Sequence, residues 1–372
     1  MASGQSEWGD DMSFLLSTAL NWTERGLIPD ALIRFGIRRL CAARIREEEA
    51  AGTSSGDLAE RMRAGSIAPL PWKANEQHYE VPPEFFAIAL GRRRKYSCCL
   101  FDEGISDLDA AEEAALEETC GSAEIEDGMD ILELGCGWGS LSLWMAEEYP
   151  SAKITAVSNS ASQRGFIESE ACRRGFNNLR VVTADMNDFS IAKQFDRVIS
   201  VEMFEHMRNY DLLLERIAGW LKPGGKLFVH IFCHRKYAYA FETEGPGNWL
   251  GRHFFSGGIM PSEDLLSRFQ GHMRTTWQKR WSGRHYKNTA NAWLRNLDAD
   301  RSRALATLEN AHGPGEAQKW MMRWRVFFMA CAELWGFSGG EEWFVSHYLL
   351  EPVREREETS RLETVGWVGE KG

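Results

Sequence analysis

Short apolar runs recur through the middle of the chain and alternate with longer stretches whose apolar positions fall three or four residues apart. The runs are MDILEL at 129–134, KITAVS at 153–158, LRVVTA at 179–184, FDRVISV at 195–201 and GKLFVHIFC at 225–233. Apolar, β-branched runs of this length read as buried strands of a parallel sheet, and the stretches 141–149, 162–174 and 210–221 read as helices between them. Such alternation predicts right-handed βαβ units. Lys222-Pro223-Gly224-Gly225 marks a stop and a turn before the fifth strand. Two further strands are predicted near 275–282 and 343–350. The expected fold is α/β: a Rossmann-like, seven-stranded sheet with N-terminal helices and a helical cap inserted in the C-terminal part.

Between the first strand and the first helix lies LELGCGWGS, residues 132–140, with Gly135, Gly137 and Gly139. A strand that turns through glycines into a helix lets the backbone approach a ligand and aims N–H groups at it. The third glycine comes one residue earlier than the dinucleotide pattern G-x-G-x-x-G requires. Glu133 before the turn and Trp138 within it favour S-adenosylmethionine over NAD. The glycines alone also suit an ordinary tight turn. An adenosyl ligand would lie at the carboxyl ends of the strands.

The pattern divides the chain into five stretches. Residues 1–74 form an N-terminal helical arm and linker, with Phe14, Leu15, Leu16, Leu20, Leu27, Ile28, Leu32, Phe35 and Ile37 at helical spacing. Arg34, Arg38, Arg39, Arg44 and Arg46 run along the same arm. A basic amphipathic helix suits a membrane surface, but packing on its own domain or on a second subunit is the favoured reading, which leaves a homodimer open. Within this arm, 50–65 is small, polar and charged and reads as a mobile linker. A helical segment over the cofactor site is expected at 75–128 and a Rossmann-like core at 129–234. A substrate-binding cap with the last strands follows at 235–352, and a charged, disordered tail at 353–372.

Composition narrows the function classes. With 372 residues, 44% of them hydrophobic and 12% aromatic, the chain has material for a substantial core. A net charge of −11 speaks against nucleic acid, whose backbone demands a basic face. Cysteines at 41, 98, 99, 120, 136, 172, 233 and 331 show no C-x-x-C pairing and read as reduced thiols, with no metal site expected. No secretory signal and no run of eighteen apolar residues is apparent, so no transmembrane segment and a cytoplasmic location are expected.

The residues that suggest chemistry sit where strands end. SVEMFEHM, residues 200–207, follows the fourth strand and brings Glu202, Glu205 and His206 within five positions. An amine must lose a proton before its nitrogen can attack a methyl group, so carboxylates and an imidazole beside a sulfonium suit amine methylation. A solvated strand-to-helix junction would look similar. A second cluster, QHYEVPPEFF at 77–86 followed by KYSC at 95–98, offers aromatic faces for cations. Phe85 and Phe86 read as core.

Taken in order, HYEVPPEFF, KYSC, LELGCGWGSLSLW, ITAVSNSASQ, SVEMFEHM, FVHIFCH, FSGGIMPS, GRHY and GGEEW-VSHYL resemble the coclaurine N-methyltransferase-like family. That family is a branch of the cyclopropane-fatty-acid-synthase-like methyltransferases. The match runs from about residue 76 to 350, and GLIPDALIRFGIRRL extends it to the N-terminus. The resemblance implies S-adenosyl-L-methionine as cofactor, S-adenosyl-L-homocysteine as product and a small amine as substrate. It assigns Gly135, Gly137 and Gly139 to the cofactor turn. Ser158, Asn159 and Gln163 become ribose and methionine contacts, Asp185 and Met186 adenine-edge contacts, and Tyr96 and Ser97 residues that close over the cofactor. The acidic residue usual at the end of the second strand in other methyltransferases is absent. Glu202, Glu205 and His206 match the acid and base residues, with Glu205–His206 as the catalytic pair. Tyr79, Glu80, Phe254, Trp324 and Phe328 fall where the family lines its substrate pocket.

Two alternatives stay open beside this one. Lipid-modifying synthases of the same superfamily bind bicarbonate through a cysteine, a glutamate, a histidine and a tyrosine, and Cys98, Glu205, His230 and Tyr286 match those positions. Glu202 separates the branches, because the lipid enzymes carry glycine there and an unpartnered carboxylate in an acyl channel is costly. The FCH at 232–234 and GGEEW at 339–343 also favour the amine branch. An inactive methyltransferase-like scaffold is the second alternative, against which the intact glycine turn and the full Glu202, Glu205, His206 set both argue. The aromatic cap suggests an amine bearing a ring, of tetrahydroisoquinoline or phenylalkylamine type.

Overall fold

A computed structural model describes residues 17–52, 54–70, 82–245 and 248–353. The strands of the main sheet are β1 (Asp130–Leu134), β2 (Lys153–Ser158), β3 (Leu179–Thr183), β4 (Phe195–Val201), β5 (Leu221–His234), β6 (Met273–Trp281) and β7 (Trp343–Pro352), and Tyr239–Ala240 pairs separately with Ile259–Met260. The main sheet has the order β3-β2-β1-β4-β5-β7-β6. The first five run parallel, while β7 and β6 are antiparallel to their neighbours. The seven strands stand where the apolar pattern placed them, within a few residues. At the fifth, the Lys222–Gly225 turn lies inside the strand instead of before it. Phe195 pairs with Leu221 and Arg197 with Lys226, so the turn is absorbed as a bulge with Gly224 at φ 85.

Helices α1 (Asp30–Ala51), α2 (Ser55–Arg63), α3 (Pro83–Ala89) and α4 (Leu108–Ser122) precede the sheet. Within it come α5 (Ser140–Glu148), α6 (Ala161–Arg174) and α7 (Tyr210–Trp220), then α8 (Trp249–His253). Helices α9 (Gly283–Ala299), α10 (Arg301–His312) and α11 (Ala317–Trp335) pack together as the cap between β6 and β7. Strand order reverses direction between β1 and β4, the place where an open α/β sheet offers a crevice to a ligand. In register, Leu134 lies beside both Val157 and Ser200. The glycine turn, Ser158-Asn159 and Glu202 therefore leave three neighbouring strands at the same level.

The segment read as a mobile linker is partly helix. Ser54 and Asp57 form a reciprocal capping box at the start of α2, and Leu58, Ala59 and Met62 are buried beneath it. Arg63 pairs with Asp211, and the Asn209 side chain donates to the Arg63 and Gly65 carbonyls, so the segment is tied to α7. A polar composition concealed one apolar stripe. The arm packs on its own cap: Arg34 and Arg38 bond Glu333, and Arg325 bonds Asp30. Leu27, Leu32, Phe35 and Leu40 on its outer side stay exposed. Among the described residues no helix is long and apolar enough to cross a membrane. Phe14, Leu15 and Leu16, Tyr79 and Glu80, and the tail beyond Val353 lie outside the described residues.

Candidate active site

Two cavities open at the carboxyl ends of the central strands and share Gly135, Gly137, Glu202 and His206 in their walls. The first is lined also by Ser158, Asn159, Gln163, Met186, Met203 and Met207, together with Ala68 and Leu70. The second is lined by Lys95, Tyr96, Ser97, Glu133, Trp138, Phe232, Phe255, Tyr286, Trp293 and Phe327. Three methionines mark the first cavity, and a cluster of aromatic rings marks the second.

The first cavity fits a nucleoside-bearing ligand on its own residues. Gly137 has φ 52, and a Cβ built on it would project into open space. The Ser158 hydroxyl donates to Gln163 Oε1 (2.6 Å), which turns the Gln163 amide so that its Nε2, buried in the wall, meets no acceptor among the described residues. A buried donor left over in a cavity wall calls for a ligand acceptor. Gly139 serves packing instead, since a Cβ there would lie 2.5 Å from Ile167 and push α5 off α6. Met186 stands in the wall, while the neighbouring Asp185 carboxylate caps the next turn at the Asn187 N–H (2.8 Å). Tyr96 and Ser97 face the second cavity.

The segment carrying those two residues is held from behind by a buried acid that sequence reading passed over. Glu112 on α4 accepts from the Gly91 N–H (3.0 Å), the Arg93 N–H (2.7 Å) and the Lys95 N–H (3.0 Å). Burial pushes its pKa up to about 7, against the pull of those three donors. Gly91 is required by this approach, for a Cβ there would sit 2.6 Å from Glu112 Oε2. Lys95 runs inward and donates through Nζ to Ser97 Oγ (2.5 Å) and the Cys98 carbonyl (2.7 Å).

Glu202 is the centre of the arrangement. Its backbone is left-handed, φ 49, a conformation that costs a non-glycine residue energy and persists only where the surroundings impose it. Its Oε1 accepts from the Cys98 N–H (2.9 Å) and lies 3.2 Å from His230 Nε2, while Oε2 accepts from the Tyr286 hydroxyl (2.7 Å). Three of the positions that the resemblance assigns to bicarbonate in lipid synthases here surround this protein's own carboxylate. Burial raises the Glu202 pKa, while the Lys95 charge, the Cys98 N–H and the Tyr286 hydroxyl pull it back towards the anion.

Glu205 and His206 share a 3-10 turn, Phe204–His206, yet point to different surroundings. Glu205 is fully buried behind the wall, where Oε1 accepts from the Phe232 N–H (2.8 Å) and Oε2 has no partner among the described residues. Burial, then the Glu202 charge, push its pKa well above the carboxylate range, which favours the neutral acid. No hydrogen bond joins it to His206. His206 stacks on Phe255 (5.9 Å, interplanar 4°) and lines both cavities. Burial and nearby Arg208 lower its pKa to about 4, opposed by Glu202, so the ring is neutral at neutral pH.

The aromatic wall is shifted by one residue from its expected members. Phe254, Trp324 and Phe328 are completely buried and pack on one another in the cap core. Their neighbours Phe255 and Phe327 reach the cavity. One residue is a 100° step around a helix, so on α11 the cavity and the core take adjacent positions. Phe85 and Phe86 lie in the core, against Trp324 and Trp138 respectively.

Comparison with known proteins gives the chain a family. The model described as mycolic acid cyclopropane synthetase matches residues 70–338. The chain is 37% identical to the (S)-coclaurine N-methyltransferase of Thalictrum flavum subsp. glaucum, covering 88% of this chain and 93% of that one. It is 33% identical to the pavine N-methyltransferase of the same plant, over 73% of this chain and 78% of that one. Among solved structures it resembles the crystal structure of coclaurine N-methyltransferase bound to N-methylheliamine and SAH. There the TM-score is 0.87 at 36% identity, covering 91% of this chain and 99% of that one.

The cofactor side makes a direct prediction. Gly137→Val should leave a folded chain that no longer binds S-adenosylmethionine, because a β-branched side chain resists φ 52 and would fill the open cavity. Calorimetric titration of a variant with native circular dichroism tests this. Undiminished affinity would remove the first cavity as the cofactor site.

Proposed function

The chain belongs to the mycolic acid cyclopropane synthetase family, on the branch of the coclaurine N-methyltransferases, and on that footing we propose that it methylates a ring-bearing amine held by Glu202 and deprotonated with His206. It is an S-adenosylmethionine-dependent N-methyltransferase. When bound, the cofactor supplies an activated methyl group and is left as S-adenosylhomocysteine. The residues of the first cavity that would hold it are Gly135, Gly137, Ser158, Asn159, Gln163 and Met186, with Tyr96 and Ser97 reaching in from the second.

The observation that carries the amine reading is the Glu202 carboxylate, which accepts from the Cys98 N–H and the Tyr286 hydroxyl and lies 3.2 Å from His230 Nε2, at the junction of the two cavities. An anion fixed there favours an incoming ammonium and then a nitrogen that becomes positive as it is methylated. It would be unfavourable beside an acyl chain. Neutral His206, in the same wall, receives the proton that frees the lone pair, and the nearby Glu202 charge stabilises the imidazolium. Glu205 acts from behind, fixing the Phe232 N–H and the turn that carries His206. The rings of Phe232, Phe255, Phe327 and Trp293 offer faces to the flat part of a substrate of tetrahydroisoquinoline or phenylalkylamine type. Positioning supplies most of the acceleration, since the donor is already activated.

An amine panel with labelled cofactor, run beside unsaturated phospholipid vesicles, tests the substrate class. Label should enter a cyclic or aryl-substituted amine and not the lipid, and label in the lipid would overturn the reading. Glu202→Gly suits the left-handed backbone and should fold, yet it should lower kcat/KM for the amine about a hundredfold or more, the scale of a lost charged contact in the transition state. Its cofactor affinity should stay close to native.

His206→Ala should lower kcat about a hundredfold at neutral pH, the usual worth of a positioned base. With the imidazole titrating at about 4, its protonation does not limit the native rate near neutrality. The deficit should shrink as pH nears the amine's own pKa, where no base is needed. A deficit constant into strongly alkaline pH would assign His206 to positioning alone.

A further inference from the structure

Behind Glu202 stands a pair of histidines, and the chemistry above uses only the nearer of the two. His230 on β5 and His347 on β7 are cross-strand partners in the antiparallel register, and both are completely buried. His230 Nε2 lies 3.2 Å from Glu202 Oε1, and its Nδ1 lies 2.9 Å from His347 Nε2. His347 Nδ1 is buried and has no partner among the described residues. Trp281 of β6 closes the pair in a T-shaped contact with His347, ring centres 4.5 Å apart. Three side chains thus form one chain, carboxylate to imidazole to imidazole, that ends blind in the sheet.

We propose that His347 is a positioning residue, which by donating its Nε2–H to His230 Nδ1 locks His230 as the Nε2–H tautomer and so keeps a donor aimed at Glu202.

Two proton arrangements satisfy the two short contacts when both rings are neutral, and the blind end separates them. If His230 donates from Nε2 to the carboxylate, its Nδ1 must accept, so His347 donates from Nε2 and leaves only a bare lone pair at its buried Nδ1. In the reverse arrangement Glu202 is protonated and donates to His230, and His347 Nδ1 carries an N–H with no acceptor. Among buried backbone groups an orphaned N–H is the rarer defect, and the reverse arrangement must also protonate Glu202, against the pull of Lys95, the Cys98 N–H and the Tyr286 hydroxyl. Both rings are disfavoured as cations: burial lowers each pKa well below the usual value, and Lys95 adds to the effect at both. A one-residue slip of β7 would send His347 to the other face, so the register itself carries the lock.

The inference rests on the amine-methylating reading for its kinetic consequence, but not for its tautomers. Glu202 faces Lys95 and the Cys98 N–H from the segment before α4, Glu205 and His206 from the 3-10 turn, His230 from β5 and Tyr286 from α9. His347 faces His230, with Lys279 of β6 and Lys95 as the nearby charges. Without His347, the His230 ring is free to turn its bare nitrogen to Glu202, which then takes up a proton more readily. His347→Phe should therefore move the acidic limb of the kcat/KM profile to higher pH and lower the value at neutral pH about tenfold, a scale known for outer-shell partners of histidine. Cofactor affinity should not change. His347→Gln places an amide N–H close to the lost Nε2–H and should restore most of the loss.

Histidine-selective 15N NMR on the native full-length protein decides the tautomers directly. Both His230 and His347 should be neutral with the proton on Nε2, each assigned from the spectrum of its own single substitution. A proton on Nδ1 of either ring, or a native pH profile in a folded His347→Phe, would overturn the proposal. If no amine in the panel is methylated, the functional reading falls and the NMR result decides the hydrogen-bond chain by itself.

Discussion

Holding one largely enclosed carboxylate, that of Glu202, is the constraint to which the elements around it answer. Taking a carboxylate out of water costs several kcal/mol unless donors replace its hydration. The donors come from three separate places: the Cys98 N–H before α4, His230 on β5 and Tyr286 on α9. Each must be delivered by its own support. Glu112 pins the segment that leads to Cys98, β7 fixes the register that backs His230, and Gly283 lets α9 begin against the Trp335 and Trp343 carbonyls, where a Cβ would collide. Left-handed φ at Glu202 is a cost that only such a surround makes tolerable.

Much of this was legible in the sequence, and the reasons differ by element. The parallel strands read well because burial on both faces writes them as continuous apolar runs, and β1 to β5 fell in place. The glycine turn was legible because positive φ leaves glycine at 135, 137 and 139, although only a structure separates the open side of Gly137 from the tight packing of Gly139. The helix α2 was obscured by its polar composition, though Ser54, Asp57, Leu58 and Met62 carried its cap and its stripe. Glu112 also left a signal, an acid in phase with the buried Leu108, Ala115 and Leu116 of the same helix. The aromatic wall did not. A choice between Phe254 and Phe255, or Phe327 and Phe328, depends on helix rotation against the cap, and no local pattern sets that to within one residue.

The same frame explains how two chemistries share a family. A glycine at position 202 would leave the Cys98, His230 and Tyr286 donors with nothing from the chain to hold, a vacancy suited to a small anion. Glutamate fills it and brings a carboxylate to the mouth of a cavity with aromatic walls. The cavity then has two properties that a cationic, ring-bearing amine needs together: an anion for its nitrogen and ring faces for its body. Placing the neutral Glu205 behind the wall confines the charge to one carboxylate, because two ionised acids this close would repel.

Calorimetry with a matched pair of ligands tests that claim most directly. An aryl-substituted quaternary ammonium and its isosteric neutral tert-butyl analogue would be titrated into the S-adenosylhomocysteine complex of the native protein and of Glu202→Gln. The account predicts that the native protein binds the cation more tightly than the neutral analogue, and that the preference disappears in the variant. Equal affinities in the native protein, or a preference that survives Glu202→Gln, would contradict it.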